Sequence, residues 1–189
     1  MEIVVKKDNW AKIRANLSLA KKSYVAVGWP SGKPKTDAIH DPISGFKNVE
    51  VATVNEIGSA PGVKPVVPAR PMVAESVKRN KAQIKALQVS GMKGITEGTM
   101  SCKLALEHIG RFMQGEIIKS IAMPAGGWKA ENSKRTIAAK GSDTPLVDGG
   151  KLSQSVSWDV RMRSANQKHA WDAMTQRRRA ARLAEQGPA

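Results

Sequence analysis

Three histidines and one cysteine are the side chains of this 189-residue sequence best suited to metal binding or nucleophilic attack. Their spacing argues against both. His40, His108 and His169 lie far apart, and only His108 is near Cys102. Six positions apart on a helix, Cys102 and His108 face roughly opposite sides, which makes a poor metal pair and an equally poor nucleophile and base. Cys102 is better read as a buried thiol. Gly149-Gly150-Lys151 looks like the end of a phosphate-binding loop. The pattern fails at both ends, because Leu152 replaces the hydroxyl residue that would reach a metal ion and Pro145 occupies the first glycine position. A turn leading into a strand, with Asp148 capping or bracing it, is the simpler reading. The sequence therefore predicts no catalytic set, no metal and no cofactor, and a protein that is not an enzyme.

Charge is the strongest positive signal. The chain holds 31 Lys plus Arg against 16 Asp plus Glu, a formal net charge of +15. That excess favours a polyanionic or acidic neighbour: nucleic acid, an acidic protein surface and a membrane face are all compatible, and the plain alternative is a charge that serves only solubility. Basic residues concentrate at Lys78, Arg79, Lys81 and Lys85, and again at Arg177, Arg178, Arg179 and Arg182. A single cysteine excludes an intramolecular disulfide and suits folding in a reducing cytoplasm. The opening residues Met1 to Lys7 are too short in apolar character for a signal peptide, and no run approaches the length of a membrane helix, so no membrane partner is expected.

The elements that must position these groups follow from periodicity. Ile3, Val4 and Val5 suit a short strand, and Trp10, Ile13 and Leu17 a short helix capped by Asp8 or Asn9. Residues 23–29 alternate as a second strand stopped by Pro30. Residues 31–47 carry glycine and proline without periodicity and read as a long loop. Residues 49–57 suit one or two helical turns closed by Gly58. Four prolines between 59 and 71 exclude helix and central strand. A helix over 72–88 should turn Val73, Val77, Ile84 and Leu87 inward, before Gly91, Gly94 and Gly98 interrupt it. The best helix of the chain spans 101–121, with Ala105, Ile109, Phe112, Met113, Ile117 and Ile121 as its stripe and Ser101 as its cap. A second long loop, 124–150, precedes a strand at 152–160, and a basic extension follows over 161–189. The expected fold is a single α+β domain over 1–160, with a small, mainly antiparallel sheet packed by the long helix.

Three stretches, in order, resemble one family. Val54-Asn55-Glu56-Ile57-Gly58, then Val67-Pro68-Ala69-Arg70-Pro71-Met72, then Thr144-Pro145-Leu146-Val147-Asp148-Gly149-Gly150-Lys151-Leu152-Ser153-Gln154-Ser155-Val156 are similar to the neck or tail-component proteins of long-tailed double-stranded DNA bacteriophages. Ile57 and Met72 stand where that family commonly has aromatics, and Gly149 where it commonly has Thr. The similarity runs from Val49 to Val160, about half the chain, and leaves out the 31–47 loop and the basic extension. It implies a structural virion protein, assembled in the host cytoplasm and forming a hexameric or dodecameric ring. Such a ring joins the portal-side connector to tail-terminator or tail-tube proteins and leaves a lumen through which DNA passes without sequence recognition.

Physical chemistry adds candidate contacts to that expectation. Pro68 and Pro71 stiffen the backbone around Arg70, so its guanidinium can pair with Glu56 or a neighbouring subunit, or simply brace its own domain. Glu56, Arg70, Asp148 and Lys151 are the candidate ring-interface residues, with the loops 31–47 and 124–150 as candidate faces. Lys78, Arg79, Lys81, Lys85, Arg177, Arg178, Arg179 and Arg182 line the DNA lumen or touch acidic faces of adjacent rings. Trp171 stacks on a base or anchors a helix. A basic nucleic-acid-binding regulator or packaging-associated protein is the rival, and it would bind short duplexes tightly and salt-dependently.

Overall fold

In a computed structural model the chain is described for residues 9–40, 45–60, 66–122 and 150–163, with isolated positions 42, 62, 132, 134, 137, 138, 141 and 146. The architecture is mixed helix and sheet. Helix α1 (Trp10–Lys22) leads into strand β1 (Ser23–Gly28), followed by the single turn α2 (Pro34–Asp37) and α3 (Asn48–Ile57). Helices α4 (Met72–Arg79), α5 (Lys81–Thr96) and α6 (Cys102–Ala122) come next, then the short α7 (Lys151–Ser155) and strand β2 (Ser157–Met162). The strand expected near residues 2–6 lies outside the described residues.

The two strands pair antiparallel, with Val25 opposite Val160 and Val27 opposite Trp158. Alternation puts these four apolar residues on one face, and that face is laid on α6. Tyr24, Ala26, Asp159 and Arg161 form the other face, where Asp159 meets Lys33 at 3.3 Å and Arg161 at 3.0 Å.

Helix α6 organises the molecule. Ser101 caps it as expected, its Oγ accepting the Leu104 N–H at 3.2 Å. Its first turns meet α1 and α5 in a cluster of Ile95, Cys102 and Ala105. Its middle meets the sheet at Gly110, where an added Cβ would stand 2.9 Å from the Trp158 ring and 3.0 Å from Val25. Its last turns carry Ile117 and Ile121 into the main core, with Ala52 of α3, Met72 of α4, and Leu152 and Val156 at α7. The buried stripe includes the expected Ala105, Ile109, Met113, Ile117 and Ile121, whereas Phe112 is only half-buried.

Several expectations need correction. The helix over 72–88 is two helices, broken at Asn80 and continuing to Thr96. Asn80 leaves helical geometry (φ −99°, ψ 15°) because its side-chain amide donates both to Ser76 O and to Glu116 Oε2, each at 2.9 Å. Gly91 and Gly94 do not interrupt α5: both are buried in it, and a Cβ on Gly91 would stand 2.9 Å from that of Ala105, so the small residue permits close helix approach. In α4 Met72 and Ser76 are buried and Val73 packs against the core as expected, while Val77 is exposed. The strand over 152–160 is helix to Ser155 and strand from Ser157. The 31–47 loop contains α2 and an Ile39 to Lys47 bridge, and α3 is longer than the two turns expected. Gly58 closes α3 with positive φ (79°), though its ψ of 172° is extended rather than left-handed helical.

Candidate functional site

The described parts of the three segments that carry the family resemblance meet at one corner, residues 55–58 lying against 67–70 and Met72 sharing a core with Leu152 and Val156. Ala52 of α3, Met72 at the start of α4, and Leu152 and Val156 around α7 pack on the last two turns of α6. Hydrogen bonds then lock the polar members. Glu56 reaches from the end of α3 to the start of α4, its Oε2 accepting the Val73 N–H and its Oε1 the Ala74 N–H, both at 2.9 Å. It thereby satisfies two of the four N–H groups that an α-helix leaves open, and sets a negative charge at the positive end of the helix dipole.

Arg70 turns to the same helix by another route. Its N–H donates to Asn55 O at 2.6 Å and its Nη1 lies 3.4 Å from Asn55 Oδ1. It is only 6% exposed, and burial pushes its pKa down because desolvation disfavours the charged form. Glu56 thus braces the α4 backbone, and Arg70 reaches Asn55. Gly58 completes the joint: a Cβ there would sit 3.0 Å from Ala69 N and 3.1 Å from Val67 O, so the chain can return this closely only past glycine.

The basic residues expected to face a partner divide similarly. Arg79 is committed within the chain, donating to Ser120 Oγ at 3.0 Å and meeting Glu116 at 3.6 Å. Ser76 and Ser120, both buried, share a 2.7 Å hydrogen bond beneath it. Glu116 also accepts from Lys119 at 2.7 Å and from Asn80, and these bonds, Lys119 foremost, hold its carboxyl below the usual range against the opposing effect of burial. Lys78, Lys81 and Lys85 are exposed along the α4–α5 edge. Lys151 donates to His40 O at 3.0 Å at the rim of a recess of about 230 Å³ that also involves Lys35, Asn48 and Gln154. Asp148, Trp171, His169 and Arg177, Arg178, Arg179 and Arg182 lie outside the described residues.

Cys102 is buried, as its sequence context predicts, and burial pushes its thiol pKa up against a smaller opposing hydrogen bond with Ser23. His108 is exposed on the same helix. His40 places Nδ1 2.7 Å from Asn48 Oδ1, joining α3 to the residue after α2 and its turn. Among the described residues, no group of three or more His, Cys, Asp or Glu is placed to hold a metal ion, and no helix is long and apolar enough to cross a membrane.

A further feature, not signalled by charge, is apolar. Beside the braced corner, α3 and the segment after it form an open groove of about 580 Å³, walled by Phe46, Val51, Val54, Ile57 and Val67. Phe46 is 52% exposed, Ile57 71% and neighbouring Val66 77%. Comparison of the chain with protein-family models, with curated proteins and with solved structures finds no match.

Proposed function

We propose that this chain is a structural protein of the neck of a tailed double-stranded DNA bacteriophage, a subunit of a ring that joins the head connector to the tail and surrounds the path of the DNA. One observation carries the proposal: the described parts of the three segments that resemble neck proteins pack together, the first two joined by the Arg70 N–H on Asn55 O, and Met72 of the second sharing a core with Leu152 and Val156 of the third. Segments of similar sequence scattered over a fold would be coincidence of composition; segments that brace one another behave as one unit. The groove beside that corner supplies exposed apolar surface of the kind that marks a protein contact.

In this role the protein works by shape and repeated contact. Lys78, Lys81 and Lys85, with the arginines at 177–182, supply diffuse, sequence-independent attraction for phosphate or for acidic faces of adjoining rings. Electron micrographs of particles assembled without this chain test the proposal. Full heads and separate tails, or tails with defective ends, are expected; normal joined particles would overturn it. Tight, salt-dependent binding of short duplexes by the isolated protein would favour the nucleic-acid-binding regulator instead.

A further inference from the structure

Two surfaces of this chain complement each other and cannot meet within one copy. The first is the α3 groove. Helix α3 carries no Lys or Arg, and its exposed Glu50, one oxygen of which accepts the Lys47 N–H, makes an acidic spot at the groove in a strongly basic chain. The second is the outer side of α5. That helix runs antiparallel to α6, with Ile84, Leu87, Gly91 and Ile95 on the inward side. At helical spacing Ala82, Ala86 and Val89 form a separate, exposed stripe, with Met92 beside it. Val89 is 61% and Met92 46% exposed, and the cations Lys81 and Lys85 flank the stripe in a helix without a single acid, while Lys93 at its end pairs with Glu97.

We propose that the α3 groove of one copy receives the outer face of α5 of the next copy. An apolar helix stripe laid into an apolar groove is a recurrent mode of recognition, with small residues such as Ala82 and Ala86 allowing the backbone to come close. The lysines of α5 then approach Glu50 and the α3 end, so opposite charge sets the register and orientation. The inner face of α5 is held on α6 at Gly91 and Ala105, so a chain cannot fold this helix into its own groove. Because the two faces differ, the contact is head-to-tail, and repeated with a closing rotation it generates a ring. The inference deepens the ring proposal and rests on it only for the closure of the assembly.

Cysteine cross-linking of the full chain tests it. Ile57→Cys and Val89→Cys sit on exposed positions and leave the core untouched. Oxidising a mixture of the two variants should give a covalent dimer, and the double variant a ladder of higher multimers. Adding Lys85→Glu, or Ala86→Asp in the apolar stripe, should lower the yield about tenfold. Three results would overturn the proposal: a mixed-dimer yield no higher than that of Ile57→Cys with Lys12→Cys on α1, dimers from Ile57→Cys alone, or a yield unaffected by both α5 substitutions. The neck assignment fails separately, through normal particles made without the chain; unjoined particles without the α3 to α5 cross-link would sink only this docking mode.

Discussion

Replacing Gly110 by alanine should destabilise the protein although alanine is the better helix former. Within an α-helix the exchange stabilises by about 1 kcal/mol through backbone entropy and solvation. At Gly110 the new methyl carbon would stand 2.9 Å from both Cγ and Cδ2 of Trp158 and 3.0 Å from Val25 Cγ2. Ordinary carbon contacts begin roughly half an ångström further out. Trp158 is a rigid bicycle paired across the sheet with Val27, and its ring lies 5.9 Å from the Arg111 guanidinium, so it cannot tilt alone. The sheet must lift from α6. Overpacking of this kind costs about 1–3 kcal/mol, and two clashing partners on one rigid sheet put the site in the upper part of that range. The net expectation is a loss of ~1–2 kcal/mol.

Gly115, five residues along the same helix, provides the control. Nothing lies within 4 Å of the position its Cβ would take, so Gly115→Ala should keep the helix gain. Urea unfolding of the full chain, followed by far-ultraviolet circular dichroism, compares the two. With a slope of about 2 kcal/mol per molar urea, the midpoint of Gly110→Ala should fall by roughly 0.5–1 M, and that of Gly115→Ala should hold or rise. If Gly110→Ala is as stable as Gly115→Ala, the close docking of α6 on the sheet is wrong.

Glu56→Ala removes two hydrogen bonds and a favourable charge from the start of α4 and should cost about 1–2 kcal/mol in the same assay, while Glu56→Gln, which keeps an acceptor, should cost roughly half as much. Equal stability of all three chains would mean that the α3 to α4 brace contributes nothing. Glu116 gives a pH signature. Its carboxyl is held below its ordinary range in the folded chain, so its contribution is fully present above that range and is lost as pH falls through the lowered value. Glu116→Gln should therefore be less stable than wild type at neutral pH, and the gap should close in acid. A gap that widens as pH falls would reverse the assigned sign.

Much of the fold was legible where one periodicity fits and the others do not. The stripe of α6 repeats at three and four residues over six turns, which no strand pattern reproduces, and Ser101 stands directly before it. The segment at 152–156 was ambiguous for a definite reason. Leu152 and Val156 are four apart, a spacing that puts two residues on the same side of a helix and of a strand alike. The helix wins because Gly150 takes a left-handed conformation (φ 71°) and Ser153 and Ser155 bond back to Gly150 O and Leu152 O within the turn. In α4 the inward face was misread by one residue. Ser76 looks like a surface residue, yet its hydroxyl donates to Met72 O at 2.6 Å and meets Ser120, which makes burial affordable for a polar group and leaves Val77 outside.

The candidate contacts were harder to read because charge in a sequence does not say whether it faces inward or outward. Glu56, Arg70 and Arg79 have partners within the chain: the α4 backbone, Asn55, and the Ser120 and Glu116 pair. Side chains already bonded internally would have to break those bonds before binding elsewhere, at a cost of about 1–3 kcal/mol for each group left buried and unpaired. They are therefore better placed to hold the corner's shape than to form a joint with a neighbour. Residues left exposed are of two kinds, apolar groups such as Ile57 and Val89 and lysines such as Lys81 and Lys85. Apolar area supplies association free energy and peripheral charge supplies orientation, so this pairing is what a repeated protein contact requires, whereas a site for DNA alone would need the lysines and have no use for the valines and isoleucine.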